Sequence, residues 1–160
     1  MEIIKQYSEH HMMPPEKIRP ASRGLIIEDG KILLSYETNT GVYMSPGGGR
    51  EADESFEECC IRELREETGY IVEPIEPFVV IEEYCFETCY EAHYFLCEIR
   101  GLCESALTPT EKEHGITPVW IDIDKAVEIF SEYPEKQEDH MSLYRREFTV
   151  LGKYLNSKRK

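Results

Sequence analysis

An α/β fold, with a mixed β-sheet between helices, is what the sequence predicts, and three observations predict it. Short apolar runs of strand length, bounded by Gly, Pro and Asp, recur along the chain. Between them lies a segment in which Phe56, Cys60 and Leu64 repeat every four residues, the stripe of a helix packed on a sheet. A second segment of helical spacing, with Leu143, Phe148, Leu151 and Leu155, closes the chain.

In chain order, residues 1–17 are polar, with His10 and His11 adjacent and Pro14-Pro15 following, and read as an irregular lead-in with solvated histidines. Residues 23–28 and 31–36 are apolar and joined by Asp29-Gly30, a two-residue hairpin signal. Residues 42–45 form a short strand entering a Gly47-Gly48-Gly49 turn, where Pro46 fixes the approach and glycine permits close backbone contact with a ligand or ion. A helix begins at Asp53 or Glu54, with Asp53 the better cap by residue type, and Gly69 is placed to end it as a left-handed cap. Strand pieces at 70–72 and 78–81 are interrupted by Pro74 and Pro77, and 92–99 is a strong strand. Residues 108–115 read as a charged loop, 119–123 as a strand, 125–130 as a short helix and 138–155 as the closing helix. No repeat, linker or low-complexity tract divides the chain, so residues 1–160 are expected to be one domain.

The 32 acidic and 18 basic residues give a formal net charge of -14, which argues against binding duplex nucleic acid through its phosphates. The one basic cluster, Lys158-Arg159-Lys160, reads as a solubilising tail. No apolar run approaches the roughly 20 residues that span a bilayer, and the first residues lack a secretory layout, so no membrane partner and a cytoplasmic location are expected. The 6 cysteines show neither export nor zinc-ligand spacing and are read as reduced, mostly buried thiols.

The most informative residues are acidic. Glu63, Glu66 and Glu67 stand at i, i+3 and i+4, within about 100° of arc on one helix face. Like charges at that spacing repel, and at a helix C-terminus the macrodipole disfavours them further. A hard divalent cation removes the penalty, because Mg²⁺ prefers carboxylate oxygens together with substrate phosphates. Arg62, four residues before Glu66, can hold that carboxylate in place. A bound ion would also let so acidic a chain take a phosphorylated small molecule.

Residues 48–70 as a whole resemble the signature of the Nudix hydrolases. That signature is a glycine, five residues, glutamate, seven residues, Arg-Glu, an apolar residue, any residue, Glu-Glu, any residue, glycine and a final apolar residue. Gly48, Glu54, Arg62, Glu63, Leu64, Glu66, Glu67 and Gly69 match, and Tyr70 departs mildly where an aliphatic residue is more usual. The preceding strand, the Ser45-Pro46-Gly47-Gly48-Gly49 turn and the Trp120 strand followed by a short helix extend the likeness.

The resemblance implies a Nudix-type α/β/α sandwich and Mg²⁺-dependent hydrolysis of a phosphoanhydride bond, with Mn²⁺ an alternative ion. It implies a nucleoside diphosphate-linked substrate, such as a nucleoside triphosphate or a nucleotide sugar. By the same likeness Glu63, Glu66 and Glu67 are the main metal ligands, the Gly48 carbonyl adds a backbone ligand, and Glu54 either ligates or orients Arg62. One of the helix carboxylates, or a base in the later loop, takes the proton of the attacking water. Among Glu111, Glu113 and His114 the preferred base is Glu113, and Glu82 and Glu83 are further carboxylates to weigh.

Arg19 and Arg23 are candidates for bidentate contact with phosphate, with Gly47 and Gly49 beside them. Tyr84, Phe86, Tyr90 and Tyr94 are available to stack on a base or to fill the core, and His140, Arg145 and Arg146 are open in the same way. The marks of ADP-ribose and dinucleoside polyphosphate subfamilies are absent near Cys85-Phe86 and Thr88. Two competing readings stand beside hydrolysis, a non-catalytic nucleotide-sensing module and a purely structural acidic domain. A homodimer is left open.

Overall fold

The computed structural model describes residues 1–159 with every side chain but that of Asp139, so Lys160 of the basic tail lies outside the described residues. The elements are β1 (Ile3–His11), β2 (Lys17–Leu25), β3 (Ile27–Glu28), β4 (Lys31–Glu37), β5 (Val42–Met44), β6 (Gly47–Gly49), α1 (Phe56–Thr68), β7 (Tyr70–Phe86), β8 (Thr88–Leu102), α2 (Pro109–His114), β9 (Ile116–Asp122), α3 (Ile123–Phe130) and α4 (Glu138–Lys158).

The strands form two sheets rather than the single one expected. The larger is mixed and runs β1-β7-β8-β2-β6, with β1 parallel to β7, β2 parallel to β8, and antiparallel pairing of β7 with β8 and β2 with β6. The smaller is antiparallel: β9 runs along β4, which also pairs with β3 and β5.

Period-two alternation sends side chains of the central strands to opposite faces, each of which is covered. Leu25, Ile32, Leu34, Val79, Ile81, Ala92 and Tyr94 meet Phe130 of α3 and Tyr144, Val150 and Leu151 of α4. Ile26, Leu33, Val72, Phe95 and Cys97 point the other way, onto Cys60 and Leu64 of α1. Both sheets feed both cores, and the result is an α/β/α sandwich.

The Asp29-Gly30 hairpin forms as expected, with both residues at positive φ (52° and 75°) between Glu28 and Lys31. Other expectations are corrected. The lead-in is mostly strand, because β1 adds to the exposed edge of β7 and turns Ile4, Gln6 and Ser8 inward. His10 is not merely solvated, since its Nδ1 lies 2.8 Å from Glu138 Oε2. Residues 70–86 run as one strand, and the ladder shifts register beside Pro74 and Pro77, where proline costs no paired N–H.

The glycine turn is itself a strand, β6, and the charged loop contains a helix, α2. Ser55, not Asp53, caps α1: its side chain accepts from the Glu58 N–H at 3.0 Å while Glu58 reaches back to the Ser55 N–H. Five of the cysteines are buried and Cys103 is half-buried.

Candidate active site

The site is assembled by α1 lying across the strands β2 and β6. Gly47 pairs with Arg23 and Gly48 with Ser22, so the glycine strand is held against β2. A Cβ on Gly47 would collide with the Ser22 carbonyl, and one on Gly48 with the Glu63 carboxylate. At Gly47 the obstructing atoms are backbone and glycine is required, whereas at Gly48 a side chain would displace the end of the Glu63 side chain.

Arg62 organises the outer part of the cluster. Its Nε and Nη2 donate to the two oxygens of Glu54 at 2.9 and 2.6 Å, a bidentate pair. Nη1 donates to Glu63 Oε1 at 2.9 Å and to Glu66 Oε2 at 3.3 Å, and Nη2 also donates to the Gly49 carbonyl at 3.0 Å. Hydrogen bonds from Arg62 hold the Glu54 carboxyl down at about 2. Glu54 thereby fixes the guanidinium that faces the other carboxylates.

The inner part is less neutralised. Glu67 is buried, accepts a hydrogen bond from Ser35, and is pushed up to about 7 by burial, with the charges of Glu111 and Glu63 adding to the effect and Arg23 opposing it. Glu63 is raised by burial and by the charges of Glu66 and Glu111, against the pull of Arg62. Gly69, at φ 80°, ends α1 as expected, its N–H donating to the Arg65 carbonyl.

The other predicted residues separate into those brought to the site and those left outside it. Arg19, Arg23, Gly48 and Gly49 line one cleft of about 190 Å³, joined by Tyr90 and Arg146. Gly47 is buried beneath Arg23 and does not line it. Glu113 offers its backbone carbonyl to Asn39 Nδ2 and has an exposed side chain. The α2 acid whose charge reaches Glu63 and Glu67 is Glu111.

Tyr84 and Tyr94 are buried, while Phe86 and Tyr90 are exposed. A larger cavity of about 700 Å³, lined by residues such as Ile4, Gln6, Arg145 and Phe148, receives none of the α1 carboxylates.

Sequence reasoning missed a second charged cluster beneath α4. Glu147 is buried and accepts from the Ser45 N–H and hydroxyl at 3.1 and 2.6 Å and from the Tyr94 hydroxyl at 3.1 Å. Arg146 Nη2 lies 3.5 Å from it, and Arg23 Nη1 donates to the Ser45 carbonyl at 2.7 Å. Glu83, raised by burial, accepts from Ser142. The only signal in the sequence was the presence of Glu83 and Arg146 in segments of otherwise core-forming spacing.

A family model described as a NUDIX domain matches residues 18–146, most of the chain. The chain belongs to the NUDIX family. Within it, the chain is similar to an uncharacterized Nudix hydrolase, YvcI, of Bacillus subtilis strain 168, with 47% identity over 47 residues, 29% of this chain and 30% of that protein. It is also similar to an ADP-ribose pyrophosphatase of Methanocaldococcus jannaschii, with 45% identity over 51 residues, 30% of each. The chain thus spans about a third of the length of these relatives. A solved NUDIX hydrolase from Nitrosomonas europaea superposes with a TM-score of 0.67 at 24% identity, over 88% of this chain and 90% of the other, and this likeness shows the fold.

Among the described residues no three acidic, His or Cys side chains converge so as to hold a metal ion as they stand. The chemistry of the donor set nevertheless fits a hard dication. Glu63 and Glu67 are carboxylates whose ionised forms are disfavoured by burial and mutual repulsion, and Glu63 lies against Gly48 at the rim of the cleft.

Proposed function

We propose that this chain hydrolyses a phosphoanhydride bond in a nucleoside diphosphate-linked small molecule, such as a nucleoside triphosphate or a nucleotide sugar. The observation that carries the reading is the under-neutralised pair Glu63 and Glu67, with Glu63 against Gly48 and Glu67 feeling the charge of Arg23, Gly48 and Arg23 both lining one arginine-bearing cleft. Membership of the NUDIX family and the pyrophosphatase named among its relatives support it.

Arg19 and Arg23 would bind the diphosphate oxygens, and the absence of side chains on Gly48 and Gly49 would let it lie against the strand. Glu63, Glu66, Glu67 and the Gly48 carbonyl would hold Mg²⁺, or Mn²⁺ in its place. When bound, such an ion neutralises phosphate charge that this acidic cluster would otherwise repel. One of these helix carboxylates would also take the proton of the water that attacks phosphorus. Glu111 stands near enough to influence that proton, and Glu113 would act only after a rearrangement of α2. Arg62 would keep Glu63 and Glu66 in register while Glu54 anchors it.

A screen of nucleoside triphosphates, nucleotide sugars and dinucleotides with Mg²⁺ tests the proposal, with Glu66→Gln and Glu67→Gln alongside. Turnover should fall by orders of magnitude in folded variants. Wild-type rates in either variant would remove that carboxylate from the mechanism. One observation favours a second reading, a nucleotide-sensing module: Arg62 already satisfies oxygens of Glu63 and Glu66 without an ion. Metal-dependent nucleotide binding with no product across the screen would select it.

A further inference from the structure

The phosphate cleft does not end at Arg23. Arg23, Tyr90 and Arg146 also line a second cleft of about 320 Å³ that runs beneath α4, so the two share a wall. Met44 and Leu143 give the inner cleft apolar sides, and Glu83 and Ser142 close it.

Its polar groups are unusual for their incompleteness. Glu83 is 2% exposed; one carboxylate oxygen accepts from Ser142, and the other, Oε2, has no protein partner. Arg146 is 6% exposed, and its Nε is likewise without a partner, as is the buried Nε of Arg23. Buried polar groups left unpaired cost about 1–3 kcal/mol each, so three around one cavity point to a ligand that completes them. The ligand must donate to a carboxylate oxygen, accept from a guanidinium and offer an apolar surface to Met44 and Leu143.

Resting on the function proposed above, we infer that this inner cleft is the specificity pocket for the nucleobase, and that it selects bases bearing a lactam edge, with ring N–H beside C=O, through Glu83 and Arg146. Guanine, hypoxanthine and uracil carry that edge: the ring N–H donates to Glu83 Oε2 and the adjacent carbonyl accepts from Arg146. Adenine and cytosine present a ring-nitrogen lone pair at the same position, which faces the carboxylate with like polarity. A site built to hydrogen-bond a group rejects analogues lacking it far more strongly than an apolar pocket rejects a missing methylene.

Binding of nucleoside monophosphates to the whole chain by calorimetry tests this without requiring any hydrolysis. GMP and UMP should bind at least tenfold more tightly than AMP and CMP, and N1-methyl-GMP, in which a methyl group replaces the ring N–H, should lose that advantage. Glu83→Gln should bring the ratio between the two classes toward one while phosphate-dependent binding persists. Equal affinity for GMP, AMP and N1-methyl-GMP in the wild-type chain would overturn the inference, whatever the fate of Glu83→Gln in folding. Absence of hydrolysis with the base preference intact would sink the catalytic reading alone.

Discussion

Two groups of buried charge lie within reach of Arg23, one on α1 and one under α4, and they are built on opposite terms. The α1 group sets Glu54, Glu63, Glu66 and Glu67 against the single Arg62, with Glu111 adding a further negative charge. The α4 group balances Glu83 and Glu147 with Arg23 and Arg146, and threads Ser45, Tyr94 and Ser142 between them. Burial is costly for either set. The α4 group offsets most of its charge with two arginines, although burial still raises Glu83 and leaves its Oε2 unpartnered, whereas the acidic group keeps excess negative charge and both Glu63 and Glu67 are raised. A charge-balanced cluster has room only for a neutral group that completes its hydrogen bonds; a cluster left with excess negative charge is poised for a cation and the phosphate it brings.

The contrast is sharpest in activity. Glu67→Gln is nearly isosteric and should lower phosphoanhydride turnover by about two to four orders of magnitude, with the melting temperature of metal-free protein unchanged or raised. Steady-state kinetics with thermal unfolding reads both, and a parallel loss of stability would erase the distinction between the groups.

Glu147→Ala should do the reverse, costing about 3–5 kcal/mol in denaturant unfolding, because Arg146 loses its partner and Ser45 and Tyr94 lose their acceptor. A cost under about 1 kcal/mol would show that Glu147 does not hold the α4 group together.

The pH dependence separates the groups next. Burial lifts Glu67 from its ordinary 4.5 to about 7, so between those values the folded chain keeps a proton that the unfolded chain has released. Stability of chelator-treated protein should therefore fall as pH rises through that window, by up to about 3 kcal/mol, and Glu67→Gln should remove that part of the slope. Mg²⁺ should in turn stabilise the wild-type chain by about 2.7 kcal/mol at a hundredfold excess over its Kd, and the variant by less. The smallest effect is local: Ser55→Ala should cost about 1 kcal/mol through loss of the α1 cap, with no change in Mg²⁺ response.

The acidic group could be read in the sequence because its residues are neighbours on one helix, where spacing alone sets the geometry. The apolar stripe of α1, its Gly69 cap and the Asp29-Gly30 hairpin were legible for the same reason, each being a signal carried within a few residues. The balanced group was not legible, because Arg23, Glu83 and Arg146 are far apart in the chain and meet only through strand order.

β1 escaped notice because an edge strand with Gln6 and Ser8 turned inward lacks an apolar alternation. β7 appeared broken because prolines weigh against a strand unless the register shifts that accommodate them are known. Two misses had signals in plain view. Ser55 with Glu58, and Thr108 with Pro109 and Glu111, are both capping boxes, and the second starts the helix that was read as a loop.

The measurement that bears most directly on the excess negative charge of α1 is the rate of nucleotide phosphoanhydride cleavage as Mg²⁺ is titrated into chelator-stripped wild-type protein. The rate should climb from background to a plateau as the ion loads. A rate that stays flat across the titration, whether at zero or at its full value, would contradict the account.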